Sequence, residues 1–422
     1  MSRALSILTL AALAAALVVL PAPARPEPGP APAHNPSSFS VCPVIEGGGR
    51  TTQLAVASTV EGPAALTLFA NGSTVGSIEM ALGSNGATVI PIVDVAAVGT
   101  VGGLVELPSA SAAAGSRILG AVSSTLESCI TSIPAQVFLA GGSTAGQSEM
   151  TLHLMNPFAG DAVATLVVHS EAGRESNNRF SRVIVPSRGS AVMNLNEVIS
   201  GREWVTVRVD VTRGRVAAAV RQTRGEAAAA WNAVEPGVSW LIPIPTGVDG
   251  RLVVASATPG SVEYQVDLYG AEGVEGAALT GSLSEGEESS LSLADIAGTR
   301  AVRVVATSPV VVSLEVSDGT TLSATTATQQ TAGSWLLPAA ASQGVRVVLL
   351  NPELEDASVV VRALREGGGE FPVNLPAEGV IELSLDAADA YLVDSDVPIV
   401  AMLFEAGGAA DALAMGVPVD NG

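Results

Sequence analysis

The sequence predicts an all-β protein made of four tandem immunoglobulin- or fibronectin-like antiparallel sandwiches. Three observations carry this. Sequence markers recur at a spacing near 100 residues. Each interval holds short Val-, Leu- and Thr-rich runs broken by Gly, Pro, Asn, Asp and Ser every 8–12 residues or so. The fullest interval holds about seven such runs, which suits one sandwich of this class.

The first segment precedes the repeats. Met1–Arg3 is a short positive region, residues 4–20 are uncharged and apolar, and Ala22 and Ala24 offer a small-residue cleavage site. That order reads as a secretory signal peptide over residues 1–24, with an uncleaved anchor as the competing reading. Residues 25–38 form a Pro-rich linker. Seven prolines between Pro21 and Ser38 favour polyproline II, which would span roughly 55 Å over this stretch.

The repeats follow. Trp240-Leu241-Ile242-Pro243 and Trp335-Leu336-Leu337-Pro338 open two copies; Ser40-Val41-Cys42-Pro43 and Val137-Phe138-Leu139 open the other two. A strand running into an Asn-Pro turn recurs at Asn156-Pro157 and Asn351-Pro352, where the Asn side chain and the fixed φ of Pro start a turn. A third marker reads as a C-terminal hairpin, over 302–312 and 391–400, with 205–216 as its counterpart. These markers divide the chain at 39–133, 134–236, 237–332 and 333–422. A β-propeller is the alternative, if each copy holds two four-stranded blades. One entry Trp per copy favours sandwiches. That Trp is expected to pack under the first strand rather than to stack on a ligand.

Composition excludes several functions. The net charge of -21 disfavours nucleic acid, whose phosphates need clustered cations. Two Cys and three His leave little for a zinc or iron–sulfur site, and no cofactor or metal site is expected. Cys42 and Cys129 fall at the two ends of the first copy. In an exported chain they are expected to form a structural disulfide, worth roughly 4 kcal/mol for so long a loop. No nucleophile elbow, HExxH or P-loop occurs, and the third and fourth copies contain no His. No catalytic residue is therefore assigned, and the protein is expected not to be an enzyme. His153 and His169 mark where a hydrolase site would lie in the second copy, if one existed. Glu285, Glu287 and Glu288, and Asp394 with Asp396, read as solvated acidic turns; calcium is the weaker alternative.

Charge is unevenly spread. From Trp240 onward there are six Arg against 25 acidic residues, whereas ten Arg fall between Arg174 and Arg224. The second copy is thus Arg-rich beside two acidic copies. Arg202, Arg208 and Arg215 are the candidate anion-binding surface, for an acidic envelope polymer, lipid headgroups or an acidic protein.

With the N-terminal apolar segment, the Pro-rich stretch, the Cys-Pro and Trp-x-x-Pro entries and the Asn-Pro turns, the chain resembles an uncharacterised family. This is a domain-of-unknown-function family of exported actinobacterial proteins with tandem β-sandwich repeats. The absence of Lys and the Ala/Gly/Val/Arg usage suit a GC-rich genome of that kind. The resemblance covers most of residues 39–420. Ser40 stands where an aromatic is expected, and Val137-Phe138-Leu139 lacks both Trp and Pro. The resemblance implies an extracytoplasmic, cell-envelope location and a non-enzymatic role, and it transfers no catalytic residue. The expectation is a scaffold or protein-interaction array, with an envelope protein or anionic polymer as partner. Envelope glycan binding is the runner-up, ranked lower because only 14 aromatic residues occur in the chain.

Overall fold

In the computed structural model every regular element longer than a single helical turn, among the described residues, is a strand. The structure describes residues 39–419 except 46–50, 71–72, 93–100, 120–123, 272, 297, 318–320, 340–343, 366 and 406–411. The predicted signal segment and Pro-rich linker lie outside the described residues.

The first copy contains β1 (Phe39–Ile45), β2 (Thr51–Ser58), β3 (Gly62–Ala70), β4 (Ser73–Leu82), β5 (Gly86–Ile92), β6 (Val101–Glu106), β7 (Ala112–Leu119) and β8 (Ser124–Ser128). They pair as two four-stranded antiparallel sheets, β1-β6-β3-β4 and β5-β2-β7-β8. Alternation sorts the faces. Leu54, Val56, Leu66 and Leu68 point between the sheets and are buried, with Cys42, Val105 and Ala114.

The second copy contains β9 (Gln136–Leu139), β10 (Ser148–Asn156), β11 (Ala162–Ser170), β12 (Gly173–Glu175), β13 (Val183–Val185), β14 (Gly189–Asn194), β15 (Val205–Arg213), β16 (Ala217–Arg224) and β17 (Ala227–Asn232). Its sheets, β12-β11-β15-β9 with β13 also on β11, and β14-β10-β16-β17, repeat the first pattern. The third copy has β18 (Gly237–Pro243), β19 (Gly250–Ser256), β20 (Val262–Gly270), β21 (Gly273–Leu283), β22 (Glu288–Ser292), β23 (Ala301–Val316) and β24 (Ser323–Thr326). The fourth has β25 (Ala332–Pro338), β26 (Val345–Leu350), β27 (Ala357–Leu364), β28 (Glu370–Leu375), β29 (Val380–Leu385), β30 (Ala390–Glu405), β31 (Ala412–Met415) and the short β32 (Val417–Pro418).

The expected hairpin over 302–312 and 391–400 is not one. β23 and β30 are single strands of 16 residues each. The first half of β23 pairs with β18 and β20; its second half pairs with β19 and β24. Each long strand thus leaves one sheet and enters the other, turning the sandwich corner at Pro309 or Pro398. A proline there removes one donor where the ladder changes partners. In the first two copies the same path is broken into two strands, β6 and β7 or β15 and β16.

Each copy therefore has eight strand positions, one more than the seven expected. The missed position is the last: β8, β17, β24 and β31. Their sequences, STLES, AAAAWN, SATT and ALAM, are dominated by small residues with weak strand propensity. Packing explains the composition, because these four strands meet at the centre of the molecule. Thr125 Oγ1 donates to Ala228 O (3.1 Å), Thr326 Oγ1 to Asn232 O (2.8 Å), Leu413 N to Ser323 Oγ (3.0 Å), and Ser128 Oγ to Met415 O. These bonds link copies one and two, two and three, three and four, and four and one.

The four sandwiches are thus closed into a ring. The sheet that opens each copy faces the other sheet of the next. Val41 and Phe69 of the first copy meet Met155 and Ala217 of the second. Phe138 and Ala140 of the second join the core of the third, which continues into Val348, Met402 and Phe404 of the fourth. Ala57 and Ala113 of the first copy pack with Leu336, Leu392 and Val417 of the fourth. The sheets surround one centre, as blades would. Yet the order β1-β6-β3-β4 interleaves distant strands, so each copy is a sandwich and not two propeller meanders.

Candidate functional site

The entry and turn motifs serve the fold. Trp240 Nε1 donates to Gly237 O (3.1 Å) and Val310 O (3.0 Å); Trp335 Nε1 donates to Ala332 O (3.2 Å) and Ile399 O (2.9 Å). Each indole is buried and ties the entry strand to the corner of the long strand. Asn156 Oδ1 accepts from Phe158 N (3.0 Å) while its Nδ2 donates to Gly160 O (2.8 Å), and Asn351 repeats both bonds with Glu353 and Glu355. Cys42 and Cys129 are disulfide-bonded, with Cα atoms 4.6 Å apart, joining the first strand to the residue after the last.

The three candidate anion-binding residues do not form one patch. Arg202 precedes β15 and Arg215 follows it, so about 30 Å of strand separates them. Arg202 Nε is paired with Glu175. Arg208 holds Asp210 (3.1 Å) and reaches Glu285 of the third copy (3.7 Å). Arg215 donates to Gly214 O (3.1 Å) on the surface.

Both copy-two histidines are enclosed by neighbouring copies. His153 shares a face of β10 with Met155, on the side toward the first copy. Neither of its nitrogens has a hydrogen-bond partner, and burial, followed by the charge of Arg221, lowers its pKa to about 3. His169, on β11, lies against Gly286 of the third copy, and burial lowers its pKa too. No hydrogen bond joins either ring to a serine or a carboxylate among the described residues.

The acidic turns need correction at Glu288 and at Asp394 and Asp396, while Glu285 and Glu287 are exposed. Glu285 pairs with Arg208, and Glu287 Oε2 accepts from Ser284 N (2.7 Å). Glu288 is not solvated. Its side chain is 2% exposed in the junction between copies two and three, where it accepts from Gly141 N (3.1 Å) and lies 3.7 Å from Arg251. Burial, reinforced by Glu315, raises its pKa to about 8. Asp394 and Asp396 lie within β30, not in a turn; Asp394 is bound by Arg362 and Ser334, and Asp396 accepts from Ser358 N (2.7 Å).

One arginine per junction, buried for Arg117 and half-buried for the others, accounts for much of this polarity. Arg117 meets Glu405 at 2.7 Å across copies one and four, with both side chains under 5% exposed. Arg221 stands on the copy-two face beside His153. Arg251 pairs with Glu315 (2.8 Å), whose Oε1 accepts from Gly142 N of the second copy (3.0 Å). Arg346 pairs with Glu382 (2.6 Å), donates to Thr246 O of the third copy (2.8 Å) and lies 4.3 Å over the Phe404 ring. These groups help to fix how the sheets meet.

Open space lies elsewhere. A groove of about 590 Å³ runs along the first copy's outer sheet, floored by Ala65 and Ala81 and edged by Glu79 and Glu106. A second groove of about 570 Å³ shares Glu106 and Leu107 with it and is walled by Phe39 and by Phe158 and Arg188 of the second copy. Phe39 and Phe158 meet edge to face at 6.0 Å, and Phe158 is 41% exposed. Sequence reasoning missed this site because its residues come from six separate strands and turns.

A family model described as a family of unknown function (DUF5719) matches residues 124–324, from β8 to β24. No curated protein matches the chain. Among solved structures, the chain is similar to a tetra-tandem repeat from the extending region of a large adhesion protein. That alignment covers 90% of this chain and 99% of the other at 12% identity, with a TM-score of 0.13. A superposition of that quality carries no argument about shape or role.

Proposed function

We propose that the chain is a non-catalytic, exported interaction platform of the cell envelope. The observation that carries this reading is ring closure. Four sandwiches that pack against both neighbours through shared cores and hydrogen bonds make one stiff body. The disulfide suits an oxidising, extracytoplasmic compartment. No helix among the described residues is long and apolar enough to cross a membrane. The match to a family of unknown function is compatible with such a role.

Glycan binding finds less support. Stacking needs exposed aromatic faces; Trp231, Trp240 and Trp335 are each at most 1% exposed, and Trp204 is half-buried. The anionic-polymer reading also loses ground, because Arg202 and Arg208 already hold carboxylates. The test is photo-crosslinking in intact cells from positions on the ring surface. Reproducible protein adducts from a defined set of turns are expected. Substrate turnover by the purified chain that disappears on His169→Ala substitution would overturn the proposal.

A further inference from the structure

The outermost strand of each copy's opening sheet is β4, β12 with β13, β21 or β28. Such an edge presents unpaired N–H and C=O groups and invites another strand unless something blunts it. Three of the four edges are blunted. β12 and β13 are three residues each, split by the one-turn helix at Asn178–Phe180. β28 has six residues and carries Glu370 and Pro372. β21 is long but contains Gly273, Gly276 and Gly281.

β4 keeps more of its pairing edge, with one charge (Glu79), one glycine (Gly76) and one bulge where it meets Leu68 and Phe69 of β3. It runs ten residues, Ser73 to Leu82, without proline, and pairs only with β3 among the described residues. Six of the ten are exposed, including Ile78 at 36%. Val75 and Met80 pack only partly against the core, so an added strand would complete their burial. Glu79 is its single charge, and with Glu106 it edges the 590 Å³ groove. Neither carboxylate takes part in an ion pair among the described residues.

We propose that β4 accepts an extended segment of a partner protein as a fifth strand of this sheet, with basic side chains alternating along it. Main-chain hydrogen bonds would supply the pairing, and alternate side chains the specificity. Glu79, on the edge strand itself, selects a cationic residue on the groove side, and Glu106, two strands further in, adds to the negative field there. A second copy of this chain is disfavoured as the occupant, since each chain carries -21. The inference rests on the platform reading and names one of its surfaces.

The test uses the full chain and a fluorescein-labelled decapeptide alternating valine and arginine, beside one with glutamate for arginine. The arginine peptide is expected to bind and to slow hydrogen exchange in β4 while leaving β12, β21 and β28 unchanged. Combined Glu79→Gln and Glu106→Gln substitution should weaken it roughly three- to tenfold. Ser77→Pro should abolish binding; if it also lowers the unfolding midpoint, the Gln pair on the exposed face decides. No binding at about 1 mM, equal binding of the glutamate peptide, or insensitivity to the Gln pair would overturn the proposal. So would concentration-dependent protection of β4 without peptide, which would assign the edge to a second copy. Cellular crosslinks confined to turns away from β4 would sink this surface and leave the platform standing; peptide binding without any cellular adduct would do the reverse.

Discussion

Glu288 illustrates what closure does to a single side chain. A carboxylate in a turn-rich acidic stretch is ordinarily solvated, yet here it is covered by the second copy and its pKa rises to about 8. The folded state therefore holds a proton that the unfolded chain releases above about 4.5. Its contribution is fully present below that value and is lost as pH rises through 8, on the order of 4 kcal/mol in all. Glu288→Gln should flatten the fall in denaturant midpoint between pH 5 and 8.5. His153 works in the opposite direction. With a folded pKa near 3 against 6.5 in the unfolded chain, stability present above pH 6.5 is lost as pH falls toward 3. His153→Leu should raise stability at about pH 5 by roughly 2 kcal/mol relative to the parent protein, and leave it little changed at pH 8. Unfolding curves at the two pH values check both. Neither shift was legible from the residues, because both arise first from burial against another copy and then from a charge far along the chain, Glu315 for Glu288 and Arg221 for His153.

At the scale of elements, the strand-forming runs were legible where Val, Leu and Thr alternate with polar residues, as in β10, β26 and β27. The Asn-Pro turns, the entry Trp residues and the terminal disulfide were legible too, since each has a local chemical reason. Two features were not. The small-residue strands at the centre lack strand propensity and take their form from each other. The long strands β23 and β30 contain Ser-Pro or Val-Pro midway, which locally suits a turn; only the second sheet shows that the chain continues in the same direction. Turns between strands also carry junction packing. Gly286 has φ near +69° and lies against the His169 ring, and its carbonyl accepts from Thr206 Oγ1 (3.0 Å). Gly286→Ala should destabilise the fold by about 2 kcal/mol, through both the left-handed backbone and the collision with His169. A change within about 0.5 kcal/mol would mean that the turn stands clear of the second copy.

For the whole molecule, four repeats could form an extended row or a closed body, and sequence periodicity is the same in both. What decides is the pairing of the first copy with the fourth: Arg117 with Glu405, Ser128 with Met415, Ala57 and Ala113 with Leu336 and Val417. Closure also changes the meaning of the charge. The Arg-rich second copy meets the acidic third through Arg208 and Glu285, so part of the asymmetry is spent at a junction. Small-angle X-ray scattering from residues 35–422 tests closure most directly. A closed ring should give a radius of gyration near 21 Å, the value for a compact body of this length. A value near 40 Å, as for four sandwiches in a row, would contradict it.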